Sequence, residues 1–176
     1  MEKIVFYPKF SIWAYVTLFG IEIGALILLI FTVYPIFKYR NLKGLPGLIV
    51  TALLMVILMI IFGYLLVIYR SMRYEFREDG LHLICGGYHD VIKYEDIEGW
   101  EKKNLVFNPL ASKRFPGFSL GNVYYSDEGM VRMYATSAGS NVLLIRTKKR
   151  KYGITPDPKD EERFIRELER RKTRYN

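Results

Sequence analysis

Residues 46–69 have the sequence PGLIVTALLMVILMIIFGYLLVIY, which contains no charged side chain and ends at Arg70. A helix of about 20 apolar residues is long enough to cross the hydrocarbon core of a bilayer. Beyond Arg70 the chain becomes rich in charged and polar residues. The stretch therefore predicts a membrane-spanning helix that divides the chain into a membrane part, residues 1–70, and a water-soluble domain, residues 71–176.

A second apolar run, residues 11–37, precedes this stretch and is long enough to cross a bilayer with some tilt. It is too long for the apolar part of a secretory signal, and no small-residue cleavage site follows it, so we expect it to be retained. Only residues 38–45 separate the two runs. They therefore predict an antiparallel transmembrane hairpin with spans at about 11–37 and 46–69.

The basic residues next to the predicted spans favour one orientation. The connection has three, which are Lys38, Arg40 and Lys43. The other side has five, which are Lys3, Lys9, Arg70, Arg73 and Arg77. Because cytoplasmic segments carry an excess of Lys and Arg, this division predicts a multi-pass protein of the cell membrane with both termini in the cytoplasm. A single cysteine, which excludes an intrachain disulfide, suits that compartment.

Glu22 lies near the middle of the first span, where a carboxylate costs at least ~2.5 kcal/mol. It is either an ion or proton site or a structural contact, for example with Tyr64, and we favour the structural interpretation. Gly20 and Gly24 have the spacing that lets helices approach closely, on a face nearly opposite Glu22. Either these glycines face lipid, or a third helix packs on the remaining face, which predicts a homo-oligomer or a membrane protein partner.

Beyond Arg70 apolar and polar residues alternate, with turns at Asp79-Gly80 and Gly86-Gly87, which is typical of half-buried strands in hairpins. Asp157 and Pro158 are suited to the start of a final helix over about 157–173. The other predicted strands cover about 88–94, 97–103, 123–125, 130–136, 142–147 and 151–154. This order predicts an α+β membrane protein whose small β-barrel or two-sheet domain is capped by a C-terminal helix.

Four segments of the domain occur in an order found in one family, and they are residues 92–97 (IKYEDI), 116–121 (PGFSLG), 129–136 (GMVRMYAT) and 154–158 (ITPDP). With these segments, residues 74–168 resemble the bacterial pleckstrin-homology-like domains of prokaryotic membrane proteins. The resemblance implies a PH-like fold and a recognition or scaffolding module. Eukaryotic relatives hold phosphoinositides with basic residues at the first hairpin, but that turn here is Glu78-Asp79-Gly80, which argues against such a site.

Two groups of residues are candidates for contact with a membrane or partner. The first is a basic cluster, Lys148, Lys149, Arg150 and Lys151, which suits either anionic headgroups or an ordinary solvated turn. The second lies in a long loop and consists of Lys113, Arg114, Phe115 and Phe118. Its phenylalanines either fold over the sheet core or form a contact surface.

Catalysis finds little support in the sequence. His82 and Cys85 lie at an odd offset in one strand and therefore point to opposite faces, which disfavours a metal site. His89 and Asp90 are adjacent strand residues whose side chains diverge. We therefore expect the histidines to be surface or strand-edge residues, and we expect no enzyme activity, metal or cofactor.

The net charge of +8 does not indicate a nucleic-acid partner, because acids are interspersed among the basic residues and no nucleic-acid motif accompanies them. The sequence favours a non-enzymatic module that holds a protein partner, or a second copy, at the inner leaflet of the bilayer. Two alternatives remain open. One is a regulator that senses an anionic lipid headgroup or other ligand, and the other is an accessory subunit of a larger membrane transport complex.

Overall fold

The computed structural model describes residues 3–38, 45–106, 119–137 and 139–175. The chain forms two compact units. One unit is Tyr15–Val67, and the other combines Met1–Ala14 with Ile68–Asn176.

The first unit consists of two helices, which are parts of α1 (Ile12–Lys38) and α2 (Leu45–Arg70). Both are apolar along their length, and most of their large side chains are exposed. Two helices of this length and composition are suited to cross a membrane. The two predicted spans thus coincide with two helices.

A four-stranded antiparallel sheet opens the second unit. Its strands follow one another in space as in the chain, and they are β1 (Ile4–Phe6), β2 (Arg73–Phe76), β3 (Leu81–Cys85) and β4 (Tyr88–Ile92). The β2–β3 turn requires glycine at position 80. Gly80 has φ +155°, and a Cβ there would lie 2.5 Å from the carbonyl oxygen of Ile92.

Strand β1 differs from the sequence-based division of the chain, which assigned residues 1–70 to the membrane part. Ile4 pairs with Phe76 and Phe6 pairs with Tyr74 across the first sheet. A strand of three residues is too short to show a clear alternation, so the sequence did not predict β1. Only its pairing with β2 in the structure identifies it as a strand. The second unit therefore includes residues on both sides of the hairpin.

The second sheet has five strands in the order β5-β8-β9-β7-β6, with β7 and β9 parallel and the other neighbours antiparallel. A 3₁₀ turn, Tyr94–Asp96, joins the first sheet to it. Its strands are β5 (Ile97–Lys103), β6 (Ser119–Tyr125), β7 (Gly129–Ala135), β8 (Val142–Thr147) and β9 (Lys151–Ile154). β6 begins four residues before the predicted strand 123–125.

The C-terminal helix α3 (Glu161–Tyr175) begins later than the predicted Asp157. The Asp157 carboxylate accepts a hydrogen bond from the Lys159 N–H at 3.0 Å, and the Asp160 N–H donates to the Asp157 carbonyl at 2.9 Å. These bonds close a turn before the helix. The predicted start at Asp157 is therefore wrong by one helical turn.

The main core lies between the two sheets and α3. Phe164 of α3 contacts the rings of Phe6, Tyr74 and Phe76, with ring centroids 4.9 to 6.0 Å apart. A smaller cluster contains Val123, Val131, Met133, Val142 and Leu144. The expected two-sheet domain with a C-terminal helix is thus confirmed.

Candidate functional site

The predicted basic cluster lies at the turn between β8 and β9. Thr147 closes this turn, because its Oγ1 accepts the Arg150 N–H at 3.1 Å and donates to the Arg150 carbonyl at 2.7 Å. The Lys148 N–H donates to the Asp96 carbonyl at 3.0 Å. The turn is therefore fixed against the 3₁₀ turn that joins the sheets.

Lys151 is separated from the rest of this cluster. Its Nζ lies 2.7 Å from one carboxylate oxygen of Glu128, and Nζ of Lys103 lies 2.5 Å from the other. The hydrogen bonds from Lys103 and Lys151 lower the pKa of Glu128 to about 2. In the part of the chain that the structure describes, no ion pair joins Lys148, Lys149 or Arg150 to a carboxylate.

A cleft of about 200 Å³ lies beside the β8–β9 turn. Burial would raise the pKa of Asp90, but hydrogen bonds from Tyr134 at 2.6 Å and Arg132 at 2.8 Å hold that pKa below its usual range. The ionised Asp90 is thus already paired. The charged side chains that line the cleft are Asp90, Lys93, Asp96, Lys149 and Arg150. Lys93 lies 3.6 Å from Glu95, so the other lining charges are Asp96, Lys149 and Arg150, whose net positive charge favours a small anion.

Three large apolar side chains are exposed at the end of the β6–β7 hairpin. Tyr124 and Met130 are directly opposite each other across the two strands, and they are 42% and 58% exposed. Val106 is also 58% exposed, and its backbone lies at the end of β6, where its carbonyl accepts the Ser126 N–H at 2.9 Å. We call Val106, Tyr124 and Met130 the hairpin patch. Among the five described strands of this sheet, β6 lies at one end.

Sequence reasoning missed the hairpin patch. Val123 and Tyr125 are buried, so alternation alone places Tyr124 on the outer face. Its proximity to Met130 depends on the register of the hairpin, which the sequence does not specify. The predicted loop contacts Lys113, Arg114, Phe115 and Phe118 lie outside the described residues, so their role stays a prediction.

The comparison with protein families agrees with this architecture. Residues 72–172 match the family model described as Bacterial PH domain, which covers more than half of the 176-residue chain. The chain belongs to this family. Comparisons with curated proteins and with solved structures found no match. The PH domain therefore extends from β2 to α3, and the resemblance seen in the sequence is confirmed.

The first hairpin of the PH domain contains a histidine chain that the sequence did not predict. His82 is 3% exposed, whereas we expected a surface or strand-edge residue. Its Nδ1 lies 2.8 Å from Nε2 of His89, and its Nε2 lies 2.8 Å from Oδ1 of Asp79. Because a carboxylate only accepts, Nε2 of His82 carries a proton, and this bond lowers the pKa of Asp79. The carboxylate of Asp79 in the acidic turn is thus occupied by a contact within the hairpin.

Residues suited to metal or nucleophilic chemistry do not converge in the described PH domain. Across residues 3–38, 45–106, 119–137 and 139–175, no group of three His, Cys, Asp or Glu side chains is arranged to hold a metal ion. Cys85 is buried, which raises the pKa of its thiol to about 12 and disfavours the reactive thiolate.

Glu22 lies against α2 within the helix unit. Its Oε1 is buried and has no hydrogen-bond partner among the described residues, so Tyr64 does not donate to this atom. Tyr64 is 61% exposed, and the neighbouring Gly63 approaches Glu22 instead, because a Cβ on Gly63 would lie 3.5 Å from that Oε1. Apart from the adjacent residues and the backbone of the same helical turns, no described atom lies within 4 Å of a Cβ built on Gly20 or Gly24. The face with these glycines is thus open.

Proposed function

We propose that this protein is a non-enzymatic, membrane-anchored interaction module whose PH domain holds a protein partner, or a second copy, at the inner leaflet. Membership in the PH family supports an interaction module that contacts protein or lipid. Two apolar helices suited to cross a bilayer support an anchor. The observation that carries the proposal is the hairpin patch on the domain surface.

The chemistry of the hairpin patch suits a protein contact. Tyrosine and methionine are enriched in protein interfaces, where they supply large apolar contact areas. Among the described strands β6 lies at one end of its sheet, a position to which a partner strand can add. A partner that covers Tyr124 and Met130 would remove the exposed part of both side chains from water, which favours association.

The double variant Tyr124→Ser, Met130→Ser tests this role in the full-length protein, purified with a mild detergent. We expect it to lose a copurifying partner or its self-association, measured by crosslinking and mass spectrometry. Tyr88→Ser is the matched control, because Tyr88 is 49% exposed on another hairpin. Since all three residues are exposed, the far-UV circular dichroism should stay unchanged. Equal association in wild type, control and double variant would refute the proposal.

A second candidate function is recognition of an anionic headgroup by the cleft beside the β8–β9 turn. Lys149 and Arg150 favour it, because both are exposed at a turn whose backbone is fixed. We expect the double variant Lys149→Gln, Arg150→Gln to bind micelles that contain phosphatidylglycerol more weakly. Binding that does not respond to this change, or to salt, would exclude the cleft.

A further inference from the structure

We propose that the histidine chain, which consists of Asp79, His82 and His89, is an acid-sensitive contact that binds one proton and breaks when a second proton is bound. His82 and His89 are the only histidines of the 176-residue sequence, and they are hydrogen-bonded to each other. The contact joins three parts of the first sheet, because Asp79 lies in the β2–β3 turn, His82 in β3 and His89 in β4. A change in its protonation therefore acts on three adjacent segments.

The bonding partners define which ring nitrogens carry protons when both imidazoles are neutral. Nε2 of His82 donates to the Asp79 carboxylate, so Nδ1 of His82 is the bare nitrogen and accepts the proton of Nε2 of His89. The ring planes differ by 28° and the centroids are 4.9 Å apart, so the rings meet edge to edge, as this bond requires. An added proton therefore enters at Nδ1 of His89, which is an exposed residue.

One added proton leaves the contact intact. The two rings then carry three protons on four nitrogens, and the bond between them persists whichever ring holds the charge. The ionised Asp79 favours this charge, because His82 is 3% exposed and an opposite charge at hydrogen-bond distance stabilises a poorly hydrated cation. The two histidines thus act as one site for one shared proton.

A second proton cannot be bound in this arrangement. It would make both nitrogens of the bond donors, and two donors that lie 2.8 Å apart repel each other. The second proton therefore requires His82 and His89 to separate. That separation would remove the side-chain bond between β3 and β4 and expose the buried His82 to water.

The charged neighbours of the contact do not compensate for a second proton. Glu75 lies directly across from His82 on β2. Three cations already bind this one carboxylate, and they are Lys3, Arg73 and Arg77. Glu78, the other carboxylate of the turn, is exposed. Two further charges, on β4 and just after it, have partners of their own, which are Arg132 for Asp90 and Glu95 for Lys93. The excess of positive charge beside Glu75 thus adds to the repulsion.

The contact should make the stability of the folded domain fall in mild acid. In the unfolded chain each histidine binds its own proton as the pH falls through about 6.5, whereas the folded contact holds one proton in total. Because the unfolded state then binds more protons, the folded state loses stability as the pH decreases. A difference of one proton raises the equilibrium constant of unfolding about tenfold for each pH unit.

The first test counts the protons that the histidines bind. Full-length protein labelled with ¹⁵N-histidine and kept in detergent gives signals from two rings only, and the nitrogen shifts report the protonation of each ring. Between about pH 8 and pH 5, we expect the pair to take up one proton. If each ring took up its own proton in this range, the proposal would be overturned.

The variant His89→Gln tests the consequence for stability. The glutamine amide donates to neutral His82 through its nitrogen, and after rotation it accepts from protonated His82 through its oxygen. Folded and unfolded forms of the variant therefore bind the same number of protons. Between about pH 6 and pH 5, the unfolding constant of wild type should rise about tenfold more than that of the variant, measured by urea titration. Equal rises in the two proteins would also overturn the proposal.

The variant Asp79→Asn tests the part of the carboxylate. It keeps an oxygen that accepts the Nε2 proton of His82 but removes the negative charge, so the shared proton should be bound at a lower pH. Glu95→Gln is the matched control, because it removes an exposed carboxylate that lies 3.6 Å from Lys93. The same ¹⁵N titration measures both variants. Equal shifts in the two would assign the effect to overall charge and exclude Asp79 from the contact.

Discussion

At the residue scale, Arg171 is the buried cation that joins α3 to the first sheet. Its side chain is 1% exposed, and Nη1 donates to the Arg77 carbonyl at 2.7 Å while Nε donates to Glu167 at 2.5 Å. The guanidinium also lies over the rings of Phe76 and Tyr94, 5.6 and 5.9 Å from their centroids. Hydrogen-bond acceptors and the faces of two aromatic rings therefore stabilise this buried charge.

Replacement of Arg171 by alanine should cost about 2–5 kcal/mol of unfolding free energy, because it removes the hydrogen bonds to Glu167 and to the Arg77 carbonyl and leaves a cavity beside the rings of Phe76 and Tyr94. Arg170→Ala is the matched control. Arg170 contacts the same Glu167 but is 64% exposed, so its loss should cost less than about 1 kcal/mol. Urea titration of the detergent-solubilised protein, followed by tryptophan fluorescence, measures both. Similar values for the two variants would contradict the structure.

The carboxylate of Glu128 predicts acid sensitivity. Its pKa is lowered from an ordinary 4.5 to about 2, so the unfolded chain binds this proton more readily than the folded one. The group therefore contributes stability above pH 4.5 that is lost as the pH falls towards 2. Glu128→Gln should flatten the decline of unfolding free energy between pH 5 and 2. Glu169→Gln, at an exposed position, serves as the control. If it flattened the pH dependence of the unfolding free energy as much as Glu128→Gln, the acid sensitivity could not be attributed to Glu128.

At the scale of elements, β1 belongs energetically to the PH domain. Phe6 is 3% exposed and lies edge-on to Phe76 and Phe164, with ring centroids 5.6 and 5.2 Å away. Phe6→Ala should destabilise the domain by about 3–5 kcal/mol. The adjacent Tyr7 is 54% exposed, so Tyr7→Ala should cost much less in the same urea titration. If neither variant changed the free energy of unfolding, β1 would not contribute to the stability of the domain.

The approach of α1 to α2 gives a steric prediction. A Cβ on Gly63 would lie 3.5 Å from Glu22, an ordinary contact, so Gly63→Ala should be tolerated. A leucine at position 63 would occupy the space of the Glu22 carboxylate, so Gly63→Leu should lower the free energy of unfolding by about 1–3 kcal/mol. Thermal unfolding in detergent, followed by circular dichroism, measures this loss. Gly20→Leu is the control for the helix pair, since no described atom lies near its Cβ.

At the scale of the whole molecule, the burial of Cys85 permits a test of orientation. This thiol is buried and its pKa is raised to about 12, so it should not react with a maleimide. In intact cells a membrane-impermeant maleimide should label Lys38→Cys, between the spans, and leave Glu169→Cys unlabelled. Permeabilised cells should label both. The reverse pattern in intact cells would place both termini outside the cytoplasm.

Much of the fold could be predicted because its signals are local. The two apolar runs and the turns at Asp79-Gly80 and Gly86-Gly87 depend only on neighbouring residues. The rest depends on pairing between distant segments. The predicted cluster at residues 148–151 divides because Lys151 contacts Glu128. The histidine chain forms because the fold brings Asp79 and His89 within 2.8 Å of His82. A cavity of about 650 Å³ beside residues 9–12 likewise combines side chains from four separate stretches of the chain.

The pairing of β1 with β2 has a consequence for biosynthesis. The ribosome makes Ile4–Phe6 first, and its partner Arg73–Phe76 only after both apolar helices. At 5–20 residues per second this delay is roughly 3 to 13 s. During that interval the nascent N-terminal segment has no strand to pair with. The first sheet of the PH domain can therefore be completed only after both helices have been synthesised.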